Sequence, residues 1–289
     1  MINLLTWNIQ AGRGSDGAVD LARIARVLRA LGDAHVICLQ EVARHVPASD
    51  GSDSGDQVAA LAALFPGYTA CFGAAVDRAG ERGTRQQFGN LVLSRVPVLQ
   101  CFRHALPQPA DSTTRHMPRQ ATEVVVAAPG GALRIVTTHL EFHSHRQRMA
   151  QVRRLREIDA EIRGAQRQPA AFAPVGLYAA VPRPASSVLC GDFNVEPGSP
   201  EYRRLTAPGR GAALIDAWAV ARPGQPHPPT CGVHDHAQWP QRAHCRDFFF
   251  CSPDVAARIE DFELDAHTNA SDHQPLLLRV RAPAPAARV

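Results

Sequence analysis

The sequence predicts a mixed α/β fold, and three observations predict it. Short apolar runs of strand character recur along nearly the whole chain of 289 residues. Only two stretches carry long helical periodicity. No shift in composition marks a boundary, so residues 1–283 are expected to form one domain. Residues 4–9 begin the chain as a strand. Residues 20–31 follow as a helix, with Leu21, Ile24, Val27, Leu28 and Leu31 forming its apolar stripe. Residues 36–39 are the next strand, 48–55 a Ser/Asp/Gly loop and 57–64 a short helix. Strands are expected at 68–72, 91–94, 98–104, 122–127 and 133–138. The second long helix covers 143–163, with Met149, Val152, Leu155, Ile158 and Ile162 on one face. Residues 164–185 are rich in Ala and Pro and predict a surface excursion. A short helix at 200–205 and an element at 214–218 precede an irregular Pro- and His-rich loop over 222–244. Strands return at 247–251, 258–264 and 276–280, and 284–289 predict a frayed tail.

Composition narrows the function. With 45% hydrophobic and 20% charged residues, the chain has globular character. No apolar run is long enough to span a bilayer and no secretory pattern opens the chain. The seven cysteines are odd in number and lack C-x-x-C spacing, which argues against a disulfide framework. These features predict a cytoplasmic protein without a membrane partner. The net charge of +4 leans weakly toward a polyanionic partner. All 31 basic residues are arginine, which excludes any mechanism that needs a catalytic lysine.

The chemistry is concentrated where apolar strands end. The run Leu4-Leu5-Thr6-Trp7 ends in Asn8, and Val36-Ile37-Cys38-Leu39-Gln40 ends in Glu41. Ile135-Val136-Thr137-Thr138 ends in His139, and Val188-Leu189-Cys190-Gly191 ends in Asp192, with Asn194 two residues on. A buried carboxylate is costly unless it is paired or bound to a cation. Brought side by side, these ends would form one polar site on a rigid core. Two further pieces stand near the C-terminus: Asp247 heads the run Phe248-Phe249-Phe250, and Ser271-Asp272-His273 precedes the last strand. An Asp set against a His fixes its tautomer. Oxygen-rich ligands suit Mg²⁺ first and Mn²⁺ second, and the whole inventory favours metal-assisted phosphoester hydrolysis.

The same pieces resemble the endonuclease/exonuclease/phosphatase superfamily, the deoxyribonuclease-I-like metal-dependent phosphoesterases. The matching motifs are T-W-N-I at 6–9, L-Q-E-V at 39–42, G-N-L-V-L-S-R at 89–95, T-H-L at 138–140, G-D-F-N at 191–194, R-D-F-F-F at 246–250 and S-D-H at 271–273. Each is weak alone; their order across nearly the whole chain is specific. The resemblance implies a four-layer α/β sandwich of two packed mixed β-sheets flanked by helices. It implies Glu41 as the main Mg²⁺ ligand, with Asn8 near the metal or phosphate and Asp272 at the metal side. It implies Asp192 as the residue that orients or deprotonates the attacking water, helped by Asn194. His273, paired with Asp247, and His139 would stabilise the phosphoryl charge. The expected reaction is hydrolysis of a phosphodiester in nucleic acid or a small phosphorylated metabolite. Phosphomonoester hydrolysis, or a silent phosphate- or nucleic-acid-binding role, is the alternative.

Outside the motifs, Trp239, Arg119 and Arg148 are candidates for substrate contact. Trp239 lies in a segment dense in His and Cys (225–245), whose spacing fits no standard zinc finger and which is expected to face substrate.

Overall fold

Alternating burial along the apolar runs builds two sheets. The computed structural model describes residues 1–47, 53–168, 175–209 and 213–283; the predicted tail and parts of the 48–55 loop and the 164–185 excursion lie outside these. In chain order the elements are β1 (Ile2–Asn8), α1 (Leu21–Leu31), β2 (Val36–Arg44), α2 (Gln57–Leu64), β3 (Thr69–Ala79), β4 (Arg85–Ser94), β5 (Val98–Ala105), β6 (Gln120–Ala128), β7 (Gly131–His139), α3 (His145–Gln166), β8 (Ser187–Asp192), α4 (Pro200–Thr206), β9 (Ile215–Asp216), α5 (Ala217–Ala221), β10 (Asp247–Cys251), α6 (Pro253–Ala256), β11 (Ile259–Leu264) and β12 (Leu276–Val280). One six-stranded sheet runs β11-β12-β1-β2-β4-β3 and the other β5-β6-β7-β8-β10-β9. Each is antiparallel except for one parallel pair, β1 with β2 and β7 with β8.

Strand parity sorts side chains between layers. Leu4, Val36 and Cys38 of the first sheet meet Ile135, Val188, Cys190 and Phe249 of the second in the core between the sheets. The opposite parity, Leu5, Trp7, Leu39 and Leu91, packs under Ile24, Leu28 and Leu61 of α1 and α2. Val136, Leu189, Phe248 and Phe250 likewise pack under Val152, Leu155 and Leu205 of α3 and α4. The result is helix, sheet, sheet, helix. The starts of α1, α2 and α3 are fixed by side-chain caps: Asp20 accepts from Arg23 N, Asp56 from Ala59 N and Ser144 from Gln147 N. Among the described residues no helix is long and apolar enough to cross a membrane.

The structure lengthens some predicted elements. The β3–β4 hairpin extends to Ala79 and from Arg85, beyond the apolar alternation. Its outer half is polar and is held by backbone pairing with cross-strand contacts such as Arg85 Nε to Asp77 Oδ1 at 2.9 Å. The element expected at 214–218 divides into β9 and the short α5. All seven cysteines are free.

Candidate active site

Parity also carries polar side chains to the end of the inter-sheet core. On β1 the inward series Leu4, Thr6 continues to Asn8; on β7, Ile135, Thr137 continues to His139; on β8, Val188, Cys190 continues to Asp192. On β10, Asp247 shares the inward face of Phe249 and Cys251. Directly below, Gln40 Nε2 donates to Thr6 Oγ1 at 3.1 Å and to Thr137 Oγ1 at 2.8 Å, joining the two sheets under the site.

Glu41 does not follow its strand's parity. Leu39 and Val42 both face α1 and α2, because the β2–β4 pairing is interrupted between them. Glu41 is the extra residue, held at φ +60°. Such a bulge re-aims a side chain at modest strain, and here it brings Glu41 to Asn8. Gly191 has a comparable role on β8. At φ +125°, a Cβ there would lie 2.0 Å from Thr138 O, so only glycine lets Asp192 sit beside His139.

The predicted residues converge. Asn8 Nδ2 donates to Glu41 Oε1 and to Asp192 Oδ2, both at 3.0 Å. Asp192 Oδ2 also lies 3.3 Å from His139 Nε2 and 3.6 Å from His273 Nε2. Asp192 Oδ1 accepts from Asn194 N at 2.9 Å. His273 Nδ1 pairs with Asp247 Oδ2 at 2.8 Å, and Thr230 Oγ1 donates to that oxygen at 2.6 Å. Asp272 Oδ2 accepts from Trp239 Nε1 at 2.9 Å and Gln238 Nε2 at 3.0 Å. Glu41, His139, Asp192, Asn194, Asp272 and His273 line the floor of a cleft of about 940 Å³.

The charges are uneven. Glu41 is pushed up to about 7, first by burial and then by the Asp272 carboxylate. Burial acts to raise Asp192, but His139, His273 and Arg246 hold it below the ordinary carboxylate range. His139 is driven down to about 3 by burial and by the Arg119 charge. Burial opposes a charge on His273, yet the surrounding anionic groups, Asp247 first, carry it well above the usual histidine value. Asp247 itself is raised to about 6, chiefly by burial. His273 and Asp247 thus hold a proton between them more tightly than either would alone.

Some side chains do other work than expected. Asn8 Oδ1 accepts from Gln10 N at 3.1 Å, so its amide nitrogen faces the two carboxylates and its oxygen does not. Asn194, at φ +52°, donates to Leu140 O and accepts from Arg246 Nη1 at 2.8 Å. Arg148 is not brought to the cleft. Its Nε donates to Glu201 Oε1 at 2.9 Å, and its Nη1 donates to the carbonyls of Glu141 and Phe142. Arg119 and Trp239 do line the cleft, and Arg119 Nε is held by Glu141 at 3.3 Å. The 225–245 segment contributes Trp239 and Gln238 to the wall. Its described histidines do not converge: His227 pairs with Asp216, His234 with Ala266 O, and His244 lies between Arg242 O and Arg246.

The site also contains residues the sequence did not single out. Thr230 lies in a loop without periodicity, and Phe142 follows the T-H-L motif at the cleft wall. The Arg246 guanidinium sits 4.9 Å from the Phe142 ring and 5.0 Å from Trp239. Parity alone could have found Gln40, two residues beyond inward-facing Cys38.

Residues 5–273 match the model of the Endonuclease/Exonuclease/phosphatase family. Among curated proteins none matches significantly in sequence. An endonuclease/exonuclease/phosphatase structure from Beutenbergia cavernae is 27% identical, with a TM-score of 0.61, covering 99% of this chain and 73% of that one. The mannosyl-6-phosphatase Bt3783 of Bacteroides thetaiotaomicron is 15% identical, with a TM-score of 0.67 over 97% of this chain and all of that one (100%). D. rerio TDP2, solved with a single-strand DNA product, is 20% identical, with a TM-score of 0.60 over 96% and 97%. The two more distant structures share the fold. The chain belongs to the endonuclease/exonuclease/phosphatase family, whose members are generally phosphoester hydrolases.

Proposed function

We propose that the chain is a divalent-metal-dependent phosphoesterase, acting on a phosphodiester, within a single domain over residues 1–283. The observation that carries this reading is the position of Asp192. It is a buried carboxylate kept ionised where Asn8, His139 and His273 meet at a cleft floor. Such a base, oriented but not neutralised by an arginine fork, suits activation of a water for in-line attack. Asn8 and Asn194 N fix its two oxygens. His273, backed by Asp247 and Thr230, and His139 present N–H groups toward the same space, where they can stabilise charge on the phosphoryl oxygens. These are the roles we assign.

The donor set fits a hard cation. Burial first, and then repulsion from the Asp272 carboxylate, raises Glu41, and a divalent ion offsets that repulsion. Glu41 and Asp272 would hold it, with Asn8 orienting Glu41 through its amide nitrogen. When bound, Mg²⁺ or Mn²⁺ supplies Lewis-acid stabilisation of phosphoryl charge. Val76, Phe88, Met117, Phe142 and Trp239 line a cleft of about 940 Å³, which has room for substituents on both sides of a phosphorus. That favours a diester over a monoester, in nucleic acid or a small phosphorylated metabolite. TDP2, a relative in fold, binds a single-strand DNA product.

The test is hydrolysis of bis-p-nitrophenyl phosphate, p-nitrophenyl phosphate and a nicked or abasic DNA duplex, with Mg²⁺, Mn²⁺ or EDTA, beside Asp192→Asn. Metal-dependent turnover that the variant loses supports the reading, and the preferred substrate separates diesterase, phosphatase and nuclease. Turnover retained by the variant would remove Asp192 from its role.

A further inference from the structure

Behind His139 the molecule contains a second, much smaller cavity of about 10 Å³, bordered by His139, Gln120, Arg119, Glu41 and Asn90. That is the free volume a single water needs. Two polar atoms of these lining residues are buried and, among the described residues, without a partner: His139 Nδ1 and Gln120 Oε1. The ladder explains why they are neighbours. Ala121 lies opposite Thr138 in the antiparallel β6–β7 pair, so Gln120 and His139 are next across from each other on the inward face. Side chains so placed have Cβ atoms roughly 5 Å apart.

The orientation of the Gln120 amide is set from the other end. Its Nε2 donates to Gly73 O and to Thr122 Oγ1, both at 2.8 Å. A backbone carbonyl only accepts, so the amide nitrogen must point there and the oxygen toward His139. Of the two His139 ring nitrogens, Nε2 has the nearer carboxylate, Asp192 Oδ2 at 3.3 Å. The nearest carboxylate oxygen to Nδ1 is Glu41 Oε1, at 3.7 Å, which is beyond hydrogen-bond distance and already takes the Asn8 amide. The hydrogen of the neutral ring therefore belongs on Nε2, and Nδ1 is an acceptor. Two acceptors, Nδ1 and Gln120 Oε1, then face one cavity. A bare anion cannot satisfy them because it donates nothing, a protonated oxyanion is too large for about 10 Å³, and the Arg119 guanidinium on the same wall disfavours a cation.

We infer that this cavity is a binding site for one structural water, which donates to His139 Nδ1 and to Gln120 Oε1 and accepts from Arg119. Gln120 is thereby a positioning residue: through the water it holds His139 as the Nε2–H tautomer, with its N–H aimed at Asp192 and the cleft. The site needs no substrate or metal to form. Its consequence for hydrolysis rests on the function proposed above.

The test is two-bond ¹⁵N–¹H correlation NMR on the full-length, histidine-labelled chain without substrate, with His139 assigned by the loss of its signals in His139→Asn. The expected wild-type spectrum is the Nε2–H tautomer. An Nδ1–H tautomer in the wild type overturns the inference without any variant being made. In Gln120→Leu or, if that chain does not fold, the better size match Gln120→Met, the tautomer signature should become mixed. The kcat should fall roughly tenfold with KM within about twofold. A folded variant that keeps the wild-type signature overturns the role of Gln120. The spectrum is read without turnover, so an inactive protein would count against the proposed hydrolysis and leave the water site to be judged separately.

Discussion

Strand β7 carries buried ionic chemistry at both ends, and the two ends solve the same problem in opposite ways. Near its start, Arg134 faces the α3 side, where Glu123 of β6 and Asp159 of α3 are also buried. Arg134 Nη2 donates to Asp159 at 2.6 Å, and Arg163 Nε to the other Asp159 oxygen at 2.9 Å. Glu123 accepts from Arg183 Nε at 2.7 Å and lies 2.9 Å from His104 Nε2. At its far end, His139 faces inward among Glu41, Asp192 and, one step away, Asp247 and Asp272. There the acids meet amides, imidazoles and an indole, and the Arg246 fork goes to Asn194 instead. Burial alone would raise both glutamates. Glu123 is nevertheless held down to about 2 by His104, Arg183 and Arg134, whereas Glu41 rises to about 7. Arginine forks close the first cluster as structure. Among the described residues no arginine fork is seated on the carboxylates of the second cluster, which leaves it with charge to share with a cation, a water or a substrate.

The contrast is broken first by its most reactive member. Asp192→Asn should lower kcat/KM on the preferred substrate by roughly 10³-fold or more, with Tm changed by no more than about 2 °C. Glu123→Gln should do the reverse. It removes the buried anion that Arg183, His104 and Arg134 share, so stability should fall by about 3 kcal/mol, and Tm by roughly 5–10 °C, with kcat/KM unchanged. Thermal unfolding and initial rates on the same samples decide both. An active Asp192→Asn, or a Glu123→Gln chain as stable as wild type, would erase the distinction.

Acid titration sharpens it next. The folded pKa of Glu123 lies below its ordinary value, so its contribution is complete above about 4.5 and disappears as pH falls toward 2. About 3 kcal/mol of stability should be lost across that window in the wild type and be missing from Glu123→Gln, as read by denaturant midpoints.

Arg148 separates the regions more finely. Arg148→Met should cost about 1–2 kcal/mol by leaving buried Glu201 with His145 alone, with KM within about twofold of wild type. A KM raised tenfold would return Arg148 to the substrate.

The smallest effect is expected at Glu41. Its folded pKa lies above the ordinary value, so its contribution is present below about 4.5 and is lost as pH rises through about 7. Without metal, Glu41→Gln should be more stable than wild type at pH 8 by less than about 1 kcal/mol, since the carboxylate is partly exposed. Mg²⁺ or Mn²⁺ should raise Tm in the wild type and not in the variant. A variant less stable than wild type without metal would contradict the repulsion inferred between Glu41 and Asp272.

Much of this was legible in the residues. Period-2 alternation set which side chains face inward, and an inward series is interrupted by nothing until it meets Asn8, His139 or Asp192. The apolar stripes of residues 20–31 and 143–163 indicated the two long helices. The order of the motifs indicated the family. Local sequence could not say which distant groups would meet. Glu41 reaches the site through a bulge that breaks its own strand's alternation. Arg148 and Arg119 look alike as residues, yet Glu201 holds one away from the cleft while Glu141 holds the other at its wall. Thr230 and Gln120 acquire their meaning only from Asp247 and His139, which are placed beside them by loop closure and by β-ladder register. Periodicity is a property of neighbours along the chain. Hydrogen-bond partnership across sheets depends on register, twist and a bulge, and those are decided when the two sheets pack.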